Sequence, residues 1–260
     1  MAEPVRLRAR GFAPVDHPMA GAATLVGMLL LWQAAASAGW VDTRFLPPPL
    51  AIGRALVALI RSGELWSNLS ASLQRLAIGW TIGTVAGIVV GFAVGLSTLA
   101  RSPGLSVVSA LFPIPKIALV PLFIIWLGIG EGSKLATLGF GVFFPTVLNT
   151  AAGIDALPRG LIRMGQAFGL SRTAILAKIV LPGALPAILS GFRVTSSIAI
   201  ILLVAAEMIG AERGIGAFVL QAGNLYDTEN LMAGIVVLSA LGLGVAAVLT
   251  RLERWLLAWR

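Results

Sequence analysis

The chain has 260 residues, of which 58% are hydrophobic and only 12% are charged, and its formal net charge is +8. Soluble domains are about 45–50% apolar and about 25% charged, so a soluble chain of this length has too little interior for so much apolar surface. The composition therefore predicts an all-α integral membrane protein. The absence of cysteine excludes disulfides and thiolate chemistry, and the single histidine, His17, excludes a histidine-rich metal site.

The first apolar run covers residues 19–40 and follows three arginines: Arg6, Arg8 and Arg10. A cleavable signal has an apolar core of about 7–15 residues, whereas a full span needs about 20. A short stretch of small residues near Ser37 resembles a cleavage site. We interpret the run as a retained first transmembrane helix, with a cleaved signal as the alternative.

Further along the chain, the apolar runs predict about six transmembrane helices in total, at 19–40, 76–99, 106–127, 135–153, 187–209 and 231–252. The connections between them are short, so residues 1–260 are predicted to form a single transmembrane domain. With the N-terminus inside, the inner segments hold twelve basic residues: Arg6, Arg8, Arg10, Arg101, Arg159, Arg163, Arg172, Lys178, Arg193, Arg251, Arg254 and Arg260. The outer segments hold six: Arg44, Arg54, Arg61, Arg75, Lys134 and Arg213. Cytoplasmic loops are enriched in Lys and Arg, so both termini are predicted to be cytoplasmic.

Two sequence features stand out near the second span, one before it and one within it. Residues 50–75 mix charged and apolar residues at helical spacing, which predicts an amphipathic helix on the outer surface with Trp66 at the interface. Within the span, every fourth residue is glycine: Gly79, Gly83, Gly87, Gly91 and Gly95. These glycines share one helix face and allow another helix, of the same chain or a second one, to approach closely.

The third span contains Pro113, Pro115 and Pro121, which predict a kink that serves packing or widens a cavity. Lys116 and Glu207 are the ionisable residues closest to the membrane interior, where a charge costs about 2.5–3.5 kcal/mol at a helix centre. Lys116 is predicted either to attract an anion in a translocation path or to make a structural contact. Glu207 is predicted to serve a pathway or gate, or to hold the outer end of the fifth span against residues 210–216.

Residues 128–134, GIGEGSK, are glycine-rich and end in a lysine. A phosphate-binding loop needs glycine directly before the lysine and serine or threonine after it, and this segment has neither. We interpret it as a tight turn on the outer side, and the chain is predicted not to hydrolyse ATP by itself.

Between the fourth and fifth spans lies a cytoplasmic insert at about 154–186. Gly169 can adopt the left-handed conformation that ends a helix, and Ser171 can cap the next one. That next helix is predicted to run from about 172 to 181 and to stop near Pro182, because proline cannot continue the hydrogen-bond ladder. The pattern predicts a stiff helix–glycine–helix element, which favours a docking element over a simple connecting loop.

The insert resembles the cytoplasmic loop of permease subunits of binding-protein-dependent ABC importers, whose pattern is Glu-Ala-Ala-x3-Gly-x9-Ile-x-Leu-Pro. Gly169, Ile179, Leu181 and Pro182 match its spacing, whereas residues 163–165 are Arg-Met-Gly in place of the opening triplet. The chain looks most like the branch for alkanesulfonates, taurine and nitrate, in which the family's glutamate is often replaced. The similarity includes LPPPLAIGRAL, SGELWSNLSASLQRLAIGW, IPKIALVPLFIIWLGIGEGSKL, FFPTVLNTAAGI, RGLIRMGQAFGLS, VLPGALPAILSGFR and VAAEMIGAERGIGAFV.

This resemblance implies a permease of the type I importer kind in a bacterial inner membrane. It implies two permease subunits, usually identical, two cytoplasmic ATPase subunits that bind ATP and Mg²⁺, and a periplasmic substrate-binding protein. In the family, the helix after the loop's glycine docks on the ATPase. The coupling residues implied here are Arg163, Ala167, Phe168, Gly169, Leu170, Ser171, Arg172, Ile179, Leu181 and Pro182.

The expected function is therefore ATP-driven import of a small oxyanion such as an alkanesulfonate, taurine or nitrate, with no catalysis and no cofactor in this chain. One alternative is a permease for another small solute, such as a vitamin precursor. A second alternative is a self-sufficient secondary transporter or channel, which would need ion-coupling residues inside several spans.

Overall fold

A computed structural model describes residues 18–259. Its α-helices are α1 (Pro18–Ser37), α2 (Pro49–Ser62), α3 (Glu64–Leu96), α4 (Thr98–Leu111), α5 (Val120–Leu127), α6 (Glu131–Asp155), α7 (Arg159–Ala167), α8 (Arg172–Ile175), α9 (Leu181–Gly210), α10 (Ile215–Asn224) and α11 (Thr228–Leu256). A 3₁₀ turn at Lys116–Leu119 precedes α5, and a π turn at Leu176–Val180 joins α8 to α9. The described residues contain no β-strand, which confirms the all-α prediction. The predictions on Arg6, Arg8, Arg10, His17 and Arg260 lie outside the described residues.

Five helical segments are long and apolar enough to cross a membrane: α1, α3, α6, the continuous segment from α8 through α9, and α11. Helix α4 and the segment 116–127 meet at a bend of 86°, and the number of spans rises to six if the two are counted together as one. These segments confirm the prediction of a multi-pass chain with about six spans. Helix α10 is an additional short helix that the hydropathy pattern did not predict.

The second span is longer than predicted. Gly63 has a φ of 83° and ends α2, and α3 then runs without interruption from Glu64 to Leu96. The predicted surface helix over residues 50–75 is therefore wrong as one element. Its first part is α2, and its second part is the start of α3, because no helix-breaking residue separates the amphipathic stretch from the apolar one.

The bundle is built around α3, α6 and α9. Leu76 from α3, Leu138 and Val142 from α6 and Leu203 from α9 share one buried cluster. Helix α1 lies at the periphery, since only 6% of its span is buried and its packing partner is α2. These three central helices therefore determine the positions of the loops and short helices that connect to their ends.

The five glycines of α3 lie against α6 of the same chain. A Cβ atom at Gly83 would lie 2.9 Å from the Gly139 Cα, and one at Gly87 would lie 2.7 Å from the Thr146 Cβ. Both distances are shorter than any ordinary carbon contact, so the two backbones touch in a way that only glycine permits. This glycine seam extends to Gly95, which packs against Ile154 near the C-terminal end of α6.

The bend between α4 and α5 lies at residues 112–115 and includes Pro113 and Pro115. Pro121 lies in the first turn of α5. N–H groups in the first turn of a helix have no intrahelical acceptor, so a proline there removes no hydrogen bond, and Pro121 does not contribute to the bend. The kink predicted for the third span is therefore produced by two of its three prolines.

Candidate functional site

The predicted insert at about 154–186 corresponds in the structure to residues 156–180, between the end of α6 and the start of α9, and it turns back on itself at Gly169. The Leu170 N–H donates to the Gly165 carbonyl and the Gly169 N–H donates to the Gln166 carbonyl, each at 3.0 Å, and Gly169 has a φ of 69°. This pair of bonds is the Schellman arrangement, which closes a helix by satisfying its last carbonyl groups. On the other side of the turn, the Ser171 Oγ accepts a hydrogen bond from the Ala174 N–H at 3.2 Å. Both ends of the elbow are therefore fixed by hydrogen bonds.

The two arms of the elbow pack against each other and against the bundle. A Cβ atom at Gly165 would lie 2.8 Å from Ile179 and 3.4 Å from Ile175, so α7 lies close to the segment that follows the turn. Val180, which is 3% exposed, joins Ile154 and Ala184 in a buried cluster at the ends of α6 and α9. The insert is thus packed against the bundle and is not a loop connected to it only at its two ends.

The prediction that the second arm stops near Pro182 is wrong. The helix continues through the π turn at Leu176–Val180 into α9, and the Leu181 N–H donates to the Leu176 carbonyl. Local widening of a helix lets it pass a proline, because the freed backbone groups find partners one residue further along. The arm after Gly169 is therefore continuous with a transmembrane helix that ends at Gly210.

The tip of the insert is apolar and basic. Phe168 is 78% exposed and Met164 is 51% exposed. Most residues implied for coupling are also exposed, namely Arg163, Ala167, Phe168, Gly169, Ser171, Arg172 and Leu181. Leu170, Ile179 and Pro182 are half-buried beneath them. Exposed aromatic and apolar side chains on a stiff support are typical of docking surfaces.

The opposite end of the bundle holds a buried ion network around Glu207. The Glu207 carboxylate accepts hydrogen bonds from the Gly216 N–H at 2.9 Å, the Ser72 hydroxyl at 2.8 Å and the Arg75 guanidinium at 2.8 Å. The Ser72 oxygen in turn accepts from the Ile215 N–H at 2.9 Å. Glu207 is 1% exposed, so these bonds replace all the hydration that a carboxylate would have in water.

Arg75 extends this network to a fourth helix, α6. Its Nε and Nη2 atoms donate to both oxygens of Glu131 at 2.7 Å, and its Nη1 atom donates to the Arg213 carbonyl as well as to Glu207. Arg75 is 7% exposed, whereas the Glu131 side chain is 59% exposed. We call Ser72, Arg75, Glu131 and Glu207 the Glu207 clamp; it ties α3, the start of α6, the end of α9 and the start of α10 together.

Gly214 explains why the loop between α9 and α10 fits the clamp. Its φ is 137°, and a Cβ atom there would fall against the Glu207 carboxylate. The Gly214 N–H donates to the Asn68 side-chain oxygen at 2.9 Å, which adds another bond to α3. The loop therefore holds its backbone N–H groups against α3 and the carboxylate, in a conformation that favours glycine.

Lys116 lies elsewhere, at the bend between α4 and α5. Its Nζ atom donates to the Phe112 carbonyl and lies 4.9 Å from the Phe112 ring centroid and 5.4 Å from that of Phe144. Such positions over aromatic faces stabilise a cation. The structure brings Lys116 close to no part of the Glu207 clamp, so the two predicted pathway residues do not share a site.

Sequence reasoning missed Ser72, Arg75 and Glu131. Arg75 and Lys134 were counted as orientation charges, and Glu131 was assigned to a turn, but all three lie in helices, with Arg75 and Lys134 buried. The only sequence signal for these residues is the mixture of charged and apolar residues before the second span. That mixture also fits a surface helix, which is how the sequence analysis interprets it. The contact from Arg75 to Glu207 joins positions 132 residues apart, and no local pattern indicates it.

The insert end of the bundle also carries ion pairs, but they are exposed. Arg101 and Asp155 form two hydrogen bonds at 2.6 and 2.7 Å, and their side chains are 39% and 45% exposed. Arg193 pairs with Glu253 between α9 and α11. Over residues 18–259, no three histidine, aspartate or glutamate side chains lie close enough together to hold a metal ion.

Comparison with known proteins agrees with this architecture. Residues 83–258 match the family described as binding-protein-dependent transport system inner membrane component. The chain is 35% identical to the taurine transport system permease protein TauC of Escherichia coli, over 89% of this chain and 88% of that one. It is 36% identical to the putative aliphatic sulfonates transport permease protein SsuC of the same organism, over 90% and 89%.

The fold also matches a solved structure. An inward-facing conformation of the MetNI methionine ABC transporter superposes with a TM-score of 0.62 at 23% identity, covering 76% of this chain and 95% of that chain. These similarities identify a translocation subunit and not an enzyme. The chain belongs to the family of binding-protein-dependent transport system inner membrane components, whose transport systems also contain an ATPase and a substrate-binding protein.

Proposed function

We propose that this chain forms the translocation path for a small oxyanion, most specifically taurine or an alkanesulfonate, with nitrate as a further member of the class. The observation that carries the proposal is the identity of 35–36%, over about nine tenths of both chains, with permeases named for taurine and for aliphatic sulfonates. Both kinds of solute present the same tetrahedral sulfonate group. A path that recognises the sulfonate group would therefore meet it in either solute, and taurine carries an ammonium group in addition.

The insert is the element through which the ATPase would act. Its exposed Phe168 and Met164 offer an apolar contact, and the hydrogen-bonded elbow at Gly169 transmits movement without bending. The continuous helix from Arg172 to Gly210 supports this role, because a displacement of the insert is transmitted along one helix to the other end of the span. Glu207 lies at that other end, so the same helix connects the docking surface to the clamp.

The assembly we propose contains two identical copies of this chain, each forming one membrane domain, and two ATPase subunits that bind ATP and Mg²⁺. The insert and both termini face the cytoplasm, as the distribution of Lys and Arg indicates. The Glu207 clamp then faces the periplasm, where the binding protein delivers the solute. In this arrangement the clamp fixes the outer end of each subunit while the insert moves.

The direct test is uptake by the complete transporter, reconstituted in lipid vesicles with its ATPase and binding protein. We expect ATP-dependent uptake of labelled taurine or of a short alkanesulfonate, and competition between them. Uptake of a vitamin precursor with no competition by sulfonates would replace the proposed substrate class while leaving the importer assignment in place.

The proposed partners have a separate test. A tagged permease should co-purify with the ATPase subunit, and native mass measurement should find two copies of this chain in the complex. Substrate-driven uptake by the permease alone, without an ATPase, would favour a secondary transporter instead. Two different permease chains in the complex would contradict the identical pair.

A further inference from the structure

Charged side chains mark the two ends of α6. Glu131 at its first residue pairs with Arg75, and Asp155 at its last residue pairs with Arg101. Between these ends, Lys116 lies over the ring of Phe144. Phe144 is about 20 Å from the start of α6 and about 17 Å from its end, at 1.5 Å per residue. The Lys116 ammonium therefore lies near the middle of the bundle's depth.

This ammonium has no carboxylate partner within salt-bridge distance in the described part of the chain. One N–H donates to the Phe112 carbonyl, which the bend leaves without its helical partner, and the rings of Phe112 and Phe144 flank the charge. A lysine carries three donors, so donor capacity remains. At this depth the side chain is too far from either end to reach the membrane surface, as lysines near helix ends do.

Lys116 also lies near the surface of the subunit rather than in its core. Lys116 is half-exposed, and its neighbours Phe112 and Ile117 are 40% and 45% exposed. An ionisable residue at such a depth normally faces protein or a water-filled path, and pairs with a group of opposite charge. Because residues 18–259 supply no such group, an anion from outside the subunit would fit this position.

We propose that Lys116 contacts the negatively charged oxygens of the transported sulfonate halfway along its path. The inference rests on the proposed function, because it takes the oxyanion to be the cargo. The ammonium would offer its free N–H groups to the sulfonate oxygens, while the Phe112 carbonyl and the two rings hold it in place. Held in this way, the cation lowers the cost of moving an anion through the centre of the membrane.

The test compares Lys116→Met, which keeps length and removes charge, with Lys116→Arg, which keeps charge. Each is measured as the complete transporter in vesicles, with uptake of taurine and of an alkanesulfonate alongside ATPase activity stimulated by the binding protein. We expect Lys116→Met to lower uptake about tenfold or more, because a charge-assisted contact is lost. Lys116→Arg should retain a larger share, although its planar group makes it an imperfect replacement.

Arg54→Ala, which removes an exposed arginine on α2, is the matched control and should leave both uptake and stimulated ATPase activity within about twofold of wild type. Lys116→Gln provides a second neutral variant if Lys116→Met does not reach the membrane. Wild-type uptake by either neutral variant would overturn this inference alone. Equal losses of uptake and ATPase activity in the neutral and arginine variants would also overturn it, because they indicate a structural role. Absence of sulfonate uptake by the wild type would instead remove the proposed function, and this inference with it.

Discussion

The two ends of the bundle use charged residues in different ways. In the Glu207 clamp, Glu207 and Arg75 are 1% and 7% exposed and their bonds join four helices. At the insert end, the Arg101 and Asp155 side chains are 39% and 45% exposed and their pair joins only α4 to α6. A buried charge that loses its partner is strongly destabilising, whereas an exposed pair contributes little because water screens it.

This difference separates an end that is fixed within the chain from an end that is open to binding by another subunit. The clamp has its hydrogen-bonding groups satisfied within the chain, so it holds α9 and α10 in one arrangement. The insert end leaves Phe168 and Met164 exposed in the part of the chain that the structure describes. Such a division suits a subunit that is driven at one end by a partner and must keep its shape at the other.

Removing the central cation of the clamp should have the largest effect. Arg75→Ala leaves the Glu207 carboxylate buried without a countercharge, and breaking a buried pair in this way costs about 3–5 kcal/mol. We expect a large fall in the melting temperature of the purified permease and a lower yield in the membrane. Arg54→Ala, which removes an exposed arginine on α2, is the matched control and should leave both unchanged. Equal stability of the two variants would show that the clamp does not hold this end.

The glycine seam connects the two ends and should give the next largest effect. A Cβ atom at Gly83 would overlap the Gly139 carbonyl oxygen and lie 2.9 Å from the Gly139 Cα, and backbone atoms cannot rotate away. Gly83→Ala should therefore destabilise the permease by about 1–3 kcal/mol, the usual cost of overpacking. Gly53→Ala is the control, because a Cβ atom there has nothing within 4 Å and alanine favours the helix of α2. A Gly83→Ala variant as stable as Gly53→Ala would mean that α3 and α6 are further apart.

The sequence predicted those features whose cause lies within a few residues. Gly169, Ser171 and the five seam glycines each act through local geometry, so their spacing was sufficient. The clamp was not predicted, because its bonds connect α3 to residues more than 130 positions away. For Glu207, the sequence indicates a contact with residues 210–216, the segment that contains Gly216, but it does not indicate the contacts with Ser72 and Arg75.

The error at Pro182 has a different origin. The rule that proline ends a helix considers only the missing N–H and the clash with the preceding turn. In this chain the π turn at Leu176–Val180 shifts the bonding pattern before the proline, so the helix passes through it. A local rule failed because the neighbouring turn had an alternative way to satisfy its carbonyl groups.

At the insert end, the elbow can be distorted without changing the exposed side chains of Phe168 and Met164. Gly169 has a φ of 69°, and a β-branched residue in that region costs about 1–2 kcal/mol. Gly169→Val should therefore distort the elbow and strongly lower uptake, while the permease keeps its membrane level and loses no more than about 1–2 kcal/mol of stability. Gly169→Asn is the control, because asparagine tolerates this conformation and should retain most of the uptake. Full uptake by Gly169→Val would show that the elbow does not need this geometry.

The smallest effect should come from the exposed pair between Arg101 and Asp155, and its dependence on salt makes it informative. Asp155→Asn removes one charge while keeping the shape of the side chain, and the arginine left behind remains in contact with water. Its loss of melting temperature should be small at low ionic strength and should vanish at high salt, where exposed charges are screened over a few ångströms. The loss caused by Arg75→Ala should persist at both ionic strengths, because salt does not enter a buried site. If the losses of melting temperature in the two variants became smaller in parallel as salt was added, the clamp would have to be open to solvent. The distinction between the end fixed within the chain and the end open to another subunit would then no longer hold.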